Sequence, residues 1–282
     1  MSTSHATQPG SIAPLRLPVL MYHEIGNHSQ TTSRLAVTPE AFAAQVAYLH
    51  DAGLRTVTAG VLSAALAVGE PLDRTVVLTF DDGYEDFHAR VLPLLEHYDF
   101  TATVFVTSGW VQDDREWPTV RRPGDMLSWG QVAEAADAGV EIGAHSCQHP
   151  QLDQLPADLL REELYASKAR LEDRLGVPVP GLAYPFGYSN ALVRQVARAA
   201  GYGYGYAVRN MTAGQESDLF MIPRLTVHRS TTLDQFRKMI DGHVTLAMVK
   251  DRALTGSYTV VRRTRALLNG SPQSGRFRNA QP

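Results

Sequence analysis

Residues 75–83 read TVVLTFDDG, an apolar run that ends in the acidic pair Asp81-Asp82 followed by Gly83. A continuous run of apolar and β-branched residues is typical of a strand that is buried on both faces of a parallel sheet. Adjacent side chains of a strand point to opposite faces, so both aspartates can serve one site only if the chain leaves strand geometry there. Gly83 permits such a bend. Because neighbouring carboxylates repel, the pair also favours a bound cation.

Strand and helix patterns alternate on both sides of this stretch. Further strands are predicted at residues 19–22, 101–106, 140–144, 182–184, 204–208 and 223–227. Helices are predicted between residues 38 and 53 and at 86–98, 129–138, 157–175 and 233–240. Repeated strand–helix units indicate an α/β fold with parallel strands, arranged as a barrel or as a doubly wound sheet.

The same patterns suggest the domain organisation. No internal repeat or linker interrupts residues 18–245, which favours a single catalytic domain. Residues 1–17 are rich in Ser, Thr, Pro and Gly, as is typical of a flexible arm. Residues 246–282 form a basic tail, which either makes weak contact with an anionic membrane surface or a phosphorylated substrate, or is simply solvated.

Composition restricts the partners and the chemistry. The formal net charge of -3 gives no electrostatic basis for a nucleic-acid partner. Cys147 is the single cysteine, so an intramolecular disulfide is impossible and a metal ion needs His, Asp or Glu ligands. The sequence shows neither a signal peptide nor an apolar stretch of roughly 20 residues, so we expect a cytoplasmic protein, or a secreted one if a leader has been removed.

A second polar cluster follows the strand predicted at residues 140–144. It contains His145 and His149, and histidines four residues apart lie on one face of a helical turn, where they can share a metal ion. Since the carboxyl ends of parallel strands meet, Asp82 can complete a three-ligand site with room for water. The alternatives are an aspartate that caps a helix, structural histidines, and Cys147 as either a fourth ligand or a small buried residue.

The segments TFDDG at 79–83 and HSCQH at 145–149 together resemble the motifs of the polysaccharide deacetylases, also called carbohydrate esterase family 4 or the NodB homology domain. The resemblance covers roughly residues 18–240. It implies a single-domain, distorted (β/α) barrel of the NodB homology type. It also implies a metal-dependent hydrolase that removes the acetyl group from an N-acetylhexosamine-containing saccharide or glycoconjugate. Zinc is the implied metal, although cobalt or nickel also suits these ligands.

The resemblance assigns roles to individual residues. Asp81 matches the catalytic base of the family, and His228 in the segment LTVH is similar to its catalytic acid. The backbone N–H of Phe186, in the segment YPFG, is similar to the group that holds the oxyanion. The three metal ligands of the family match Asp82, His145 and His149.

Residues for substrate contact are less specific. Three residues near predicted strand ends are candidates for contact with the sugar, namely Tyr84, Trp110 and Pro185. Aromatic faces stack on sugar rings, but aromatic residues equally serve as core. His23, at the end of the first strand, either faces the site or is a satisfied structural histidine.

Two departures from the family pattern leave the activity open. Ala183 stands where many members have an arginine that orients the base, and the Asp-x-x-Asp-Trp segment is missing. The YPFG variant and the opening LMYH at 20–23 are similar to the branch of poly-N-acetylglucosamine deacetylases. Given this similarity, Arg224 of this chain is a candidate replacement for the missing arginine. An O-acetyl esterase, another amide or cyclic-amide hydrolase, and a non-catalytic sugar-binding relative are the alternatives.

Overall fold

The computed structural model describes residues 17–26, 34–112 and 124–243, together with residue 249. Its strands are β1 (Val19–Tyr22), β2 (Arg55–Val57), β3 (Thr75–Asp82), β4 (Thr103–Val106), β5 (Glu141–Ala144), β6 (Gly181–Ala183), β7 (Tyr204–Val208) and β8 (Ile222–Thr226). Its α-helices are α1 (Pro39–Asp51), α2 (Ala59–Val68), α3 (Leu92–His97), α4 (Trp129–Asp137), α5 (Ala157–Leu175), α6 (Ala191–Ala199) and α7 (Leu233–Ile240). The predicted arm at 1–17 and tail at 246–282 lie, apart from residues 17 and 249, outside the described residues.

The strands close into a parallel barrel. Strand β1 pairs with β3 on one side and with β8 on the other, through Leu20 opposite Leu78 and Leu225. The ring then runs from β8 through β7, β6, β5 and β4 to β3, and β2 pairs with the first residues of β3. This closed ring confirms the (β/α) barrel and excludes the doubly wound sheet.

Helices surround the barrel, and their starts are fixed by side-chain caps. The Oγ1 of Thr38 accepts from the backbone N–H of Ala41 at the start of α1. Capping boxes begin α4 and α7, where the cap and the third helical residue bond to each other's backbone. The apolar stripe of α5 is fully buried, and it consists of Leu160, Leu164 and Leu171. None of the helices among the described residues is long and apolar enough to cross a bilayer.

Alternate residues of the strands fill the barrel interior. An apolar cluster inside it includes Val19, Val77, Phe105, Ala183, Tyr206 and Ile222. Further along the same faces of β3 and β8 lie Thr79, Asp81 and Arg224, because side chains two apart on a strand share a face. Asp81 is 2% exposed and Arg224 is 0% exposed, so the barrel encloses a charged pair above its apolar layer.

The structure contains three elements that the sequence patterns did not predict, namely β2, α2 and α6. Helix α2 has the sequence AGVLSAALAV, which is almost wholly small or apolar and therefore shows no helical period. Its first N–H groups bond to the side chains of Thr103 (2.8 Å) and Glu141 (2.7 Å), the first residues of β4 and β5. Helix α2 therefore begins at the amino ends of these strands.

The helix predicted at 86–98 is divided. Residues Phe87–Val91 form a π-helical turn, and α3 follows from Leu92. Pro93 has no N–H to offer the carbonyl of Ala89, which accounts for the irregular turn. The other predicted helices and strands are present, and their ends are displaced by at most two residues.

Candidate metal centre

The carboxyl ends of the barrel strands bring together the residues selected from the sequence. Asp82 on β3 is in register with Val106 on β4, and Val106 is in register with Ala144 on β5. His145 directly follows Ala144, so it lies beside the aspartates. The turn that carries Phe186 follows β6, and His228 follows β8. The prediction that the site forms at the carboxyl ends of the strands is confirmed for these residues.

The backbone bends at the aspartate pair itself. Asp82 has a φ of 74°, in the left-handed region that residues other than glycine seldom adopt, and Gly83 follows with a φ of 86°. The bend turns Asp82 out of strict alternation with Asp81. As a result the Nε2 atom of His145 lies 3.5 Å from Asp82 Oδ1 and 3.9 Å from Asp81 Oδ2. The expectation that the chain leaves strand geometry here is confirmed.

Asp82, His145 and His149 present one ligand atom each to a common point. The three atoms lie within 4.8 Å of one another, and His149 Nε2 is 3.4 Å from Asp82 Oδ1. The Nδ1 of His145 lies 2.8 Å from the carbonyl oxygen of Ala183, and donation to it leaves Nε2 free to bind a metal. Asp82 Oδ1 is buried and has no hydrogen-bond partner among the described residues. A divalent metal fits this set, because it would satisfy that oxygen and both imidazoles.

The two histidines do not lie on a helical turn, so that part of the prediction is wrong. Residues 145–149 form an irregular loop in which Ser146 (φ 65°) and His149 (φ 56°) are left-handed. The hydroxyl of Ser146 accepts from the backbone N–H of His149 at 2.9 Å, which closes the loop. Cys147 is 2% exposed and does not belong to the ligand group, in agreement with its interpretation as a small buried residue. Burial raises the pKa of its thiol to about 12.

Arg224 holds Asp81 through a two-pronged ion pair. Its Nη1 lies 2.6 Å from Asp81 Oδ1 and its Nη2 lies 2.7 Å from Oδ2, and Nη1 also donates to Thr79 Oγ1 at 3.2 Å. The guanidinium stands 5.6 Å from the ring centre of Phe105. This planar fork fixes the carboxylate in position and orientation. Arg224 thus makes the contact that the family resemblance assigns to an arginine at position 183.

The two neighbouring carboxyl groups have opposite electrostatic environments. Burial raises the pKa of Asp81, but the charge and hydrogen bonds of Arg224 outweigh burial and hold it at about 2. Burial and the charge of Asp81 raise the pKa of Asp82 to about 8. Burial also lowers the pKa of His145 and of His149, which keeps both imidazoles neutral. Neutral imidazoles can bind a metal ion directly, whereas Asp82 would release its proton when the ion binds.

Aromatic rings enclose the ligand His149. The ring of Trp110 lies 5.1 Å from it and that of Phe186 lies 4.6 Å from it, between centres. Trp110 is only 8% exposed, and its ring packs against that of His149, so its contact with the sugar stays a prediction. Pro185 is buried and Tyr84 is half-buried. Phe186 is 38% exposed and has a φ of 59°, so its strained turn presents a ring at the surface beside the ligands.

His23 belongs to the site, which the sequence left undecided. Tyr22 is in register with Phe80, so the next residue, His23, stands level with Asp81. Burial is the main reason that the pKa of His23 falls to about 4. The charge of Arg224 also lowers this pKa, whereas the charge of Asp81 raises it. Its Nδ1 atom is buried and has no hydrogen-bond partner among the described residues, so it is not a satisfied structural histidine. The sequence feature that pointed to His23 as a site residue was its position at the carboxyl end of β1.

Comparison with known proteins agrees with this geometry. A family model described as Polysaccharide deacetylase matches residues 69–205. Over these residues the chain is similar to the polysaccharide deacetylase family. Bacillus subtilis YxkH is 27% identical over 81% of this chain and 77% of its own length. The poly-beta-1,6-N-acetyl-D-glucosamine N-deacetylase of Escherichia coli K12 is 23% identical over 78% of this chain, which spans only 38% of that enzyme.

A solved structure shares both the fold and its extent. The Streptococcus pyogenes deacetylase PplD, in complex with acetate, superposes with a TM-score of 0.73 at 26% identity. The match covers 81% of this chain and 99% of PplD. The match therefore includes nearly the whole of PplD.

The ion pair gives the first prediction for this chain. Replacing Arg224 by Met leaves the Asp81 carboxylate buried beside Asp82 without a counter-charge, so we expect the free energy of unfolding to fall by about 3–5 kcal/mol. Urea denaturation in the presence of chelator measures this loss. The double variant Asp81→Asn/Arg224→Met should recover much of it, since no charge is then left unpaired. Simple addition of the two single losses would contradict the coupling.

The second prediction concerns Asp82 in the metal-free protein. Its folded pKa, about 8, lies above the ordinary value of 3.8, so its contribution to stability is fully present below about pH 4 and is lost as the pH rises toward 8. Asp82→Asn should therefore raise the melting temperature that is measured in chelator. The rise should be small at low pH and largest near pH 8, where the free energy of unfolding increases by roughly 1–3 kcal/mol. The exposed control Asp51→Asn should change nothing. An equal melting temperature of Asp82→Asn and wild type near pH 8 would disprove the prediction.

Proposed function

We propose that this chain is a metal-dependent N-deacetylase that removes the acetyl group from an N-acetylhexosamine-containing saccharide or glycoconjugate and releases acetate. The observation that carries the proposal is the joint position of the ligand set and the base. Asp82, His145 and His149 form the group that fits a metal, and Asp81 Oδ2 lies 3.9 Å from His145 Nε2. Sugar binding alone requires no ionised carboxylate beside a metal site. The name of the E. coli relative and the acetate bound to PplD support the same chemistry.

The residues around the ligand group supply different parts of a hydrolysis. Asp82, His145 and His149 would hold a divalent metal, which we propose to be zinc with cobalt or nickel as substitutes, and this ion would supply Lewis acidity toward the acetyl carbonyl and water. Asp81 is the proposed base. Arg224 keeps it ionised across the neutral range and fixes its direction, so the carboxylate is always ready to accept the proton of the attacking water.

The turn at Phe186 is the proposed oxyanion site. Its two backbone hydrogen bonds run from Gly187 N–H to the carbonyl of Tyr184 (2.7 Å) and from Tyr188 N–H to that of Pro185 (3.2 Å). The ring of Phe186 lies 4.6 Å from that of His149, so this turn lies beside the candidate metal ligands. A donor held in place before the reaction stabilises developing negative charge without reorganisation. A Cβ on Gly187 would meet Val208 at 2.5 Å, so the turn is packed tightly against β7.

The leaving amine needs a proton, and two histidines are candidates to supply it. The family resemblance points to His228, whose backbone N–H is held by Thr231 Oγ1 at 2.9 Å. His23 is the second candidate, because it lies directly after β1, level with Asp81. Because an amine leaves badly without protonation, loss of the true acid will affect amide substrates most.

The function is tested by measuring acetate release from monomeric, oligomeric and polymeric N-acetylhexosamine substrates. We expect release by the zinc-loaded enzyme, loss after chelation and recovery with zinc. Asp81→Asn should reduce kcat by at least about 100-fold while zinc binding is retained, because the base is removed and the ligands are kept. The exposed control Asp51→Asn should retain full activity. Turnover that is insensitive to chelator, or unchanged release by Asp81→Asn, would reject the proposal.

The acid is identified by comparing His23→Gln and His228→Gln on two substrates. One is an N-acetylated sugar, and the other is an activated acetyl ester, whose leaving group departs without a proton. We expect one of the two variants to lose about 100-fold or more on the amide and little on the ester, and that variant is the one that lacks the acid. A selective loss in His228→Gln alone would assign the role to His228, and one in His23→Gln alone would assign it to His23. Equal losses on both substrates would indicate damage to the site as a whole.

A further inference from the structure

The loop between the two histidine ligands rests on a buried carboxylate that the mechanism does not use. Glu163 on α5 is 7% exposed. Its Oε2 atom accepts the backbone N–H of Cys147 at 2.8 Å and that of Gln148 at 3.0 Å. Burial raises the pKa of Glu163, whereas these two N–H groups and the Ser146 hydroxyl favour its ionised form. One carboxylate thus contacts three consecutive residues between His145 and His149.

This loop needs external support, because its backbone is strained. Ser146 and His149 are both left-handed, a conformation that costs a residue with a Cβ roughly 1–2 kcal/mol. On the side opposite Glu163, the N–H groups of Ser108 and Gly109 donate to the carbonyls of Ser146 (3.1 Å) and Cys147 (2.9 Å). The segment after β4 and the helix α5 therefore hold the loop between them.

A carboxylate on the buried face of α5 is energetically unfavourable. Its neighbours on that face, Leu160, Leu164 and Leu171, are fully buried and apolar. A buried carboxyl group loses hydration, so an apolar side chain would stabilise helix packing better. The hydrogen bonds to the loop explain why Glu163 stands at this buried position, since they satisfy N–H groups that would otherwise be buried without partners.

We propose that Glu163 is a positioning residue of the metal centre. Its carboxylate holds the loop in the conformation that directs His149 Nε2 toward Asp82, 3.4 Å away, and it acts through Ser146, whose hydroxyl binds the His149 N–H. The proposal rests on the metal site of the proposed function but not on the identity of the sugar. Glu163 is not one of the three candidate metal ligands.

Metal affinity tests the proposal independently of turnover. Zinc dissociation constants are measured by competition with a chromophoric chelator for wild type, Glu163→Gln and Glu163→Ala. We expect binding 10- to 100-fold weaker in Glu163→Gln, the usual effect of losing a group that orients a ligand. The matched control is Glu162→Gln, which removes an exposed charge from the adjacent position of α5 and should stay within about twofold of wild type. The visible spectrum of the cobalt-loaded protein should change in Glu163→Gln and not in the control.

Melting temperatures in chelator separate positioning from simple stability. If both Glu163 variants melt earlier yet bind zinc with wild-type affinity and give the wild-type cobalt spectrum, Glu163 is structural only and the proposal is overturned. If Glu163→Ala does not fold, the nearly isosteric Glu163→Gln decides alone. Wild type that binds zinc but releases no acetate would reject the deacetylase function and leave this test valid. Wild type that binds no zinc would reject both.

Discussion

Two adjacent carboxyl groups buried at the end of one strand are the constraint on which this structure depends. Asp81 and Asp82 are 2% and 7% exposed, and their charges repel in a medium that screens little. The fold resolves the conflict by giving each group a different counter-charge. Arg224 neutralises Asp81 from within the protein, whereas Asp82 is directed at two imidazoles and the place of a metal. One carboxylate is permanently ionised, and the other becomes so when a cation arrives.

Barrel closure makes this division possible. Asp81 lies on β3 and Arg224 on β8, which are separated by β1, so the ion pair crosses the interior instead of joining neighbours on one sheet. In an open sheet the two strands would not face each other. The left-handed bend at Asp82 then separates the functions of adjacent residues, with one side chain inside the barrel and the other at its mouth. The position of the ion pair and of Asp82 therefore depends on the closed barrel.

Much of this was predictable from sequence, and the misses have physical reasons. The strand ends and the grouping of Asp82, His145 and His149 follow from apolar runs that terminate in polar residues, a signal that is local, whereas the choice of a barrel came from the family resemblance. The shape of the histidine loop was mispredicted, since a spacing of four indicates a helical turn only if the backbone is free to form one. Here, left-handed Ser146 and distant Glu163 determine the loop. His23 was undecided because its neighbours come from other strands, and α2 was missed because an apolar helix shows no period.

The small side chain at Ala183 has a wider consequence. It lies in the apolar cluster inside the barrel, and Arg224 reaches Asp81 in the same interior. A second arginine projecting from β6 would bring an additional buried cation into that space, so the two solutions exclude each other. A sequence comparison that considered only position 183 would conclude that this protein lacks the arginine that orients the base. What the chemistry requires is a guanidinium at one point in space, and any strand of a closed ring that reaches that point can deliver it.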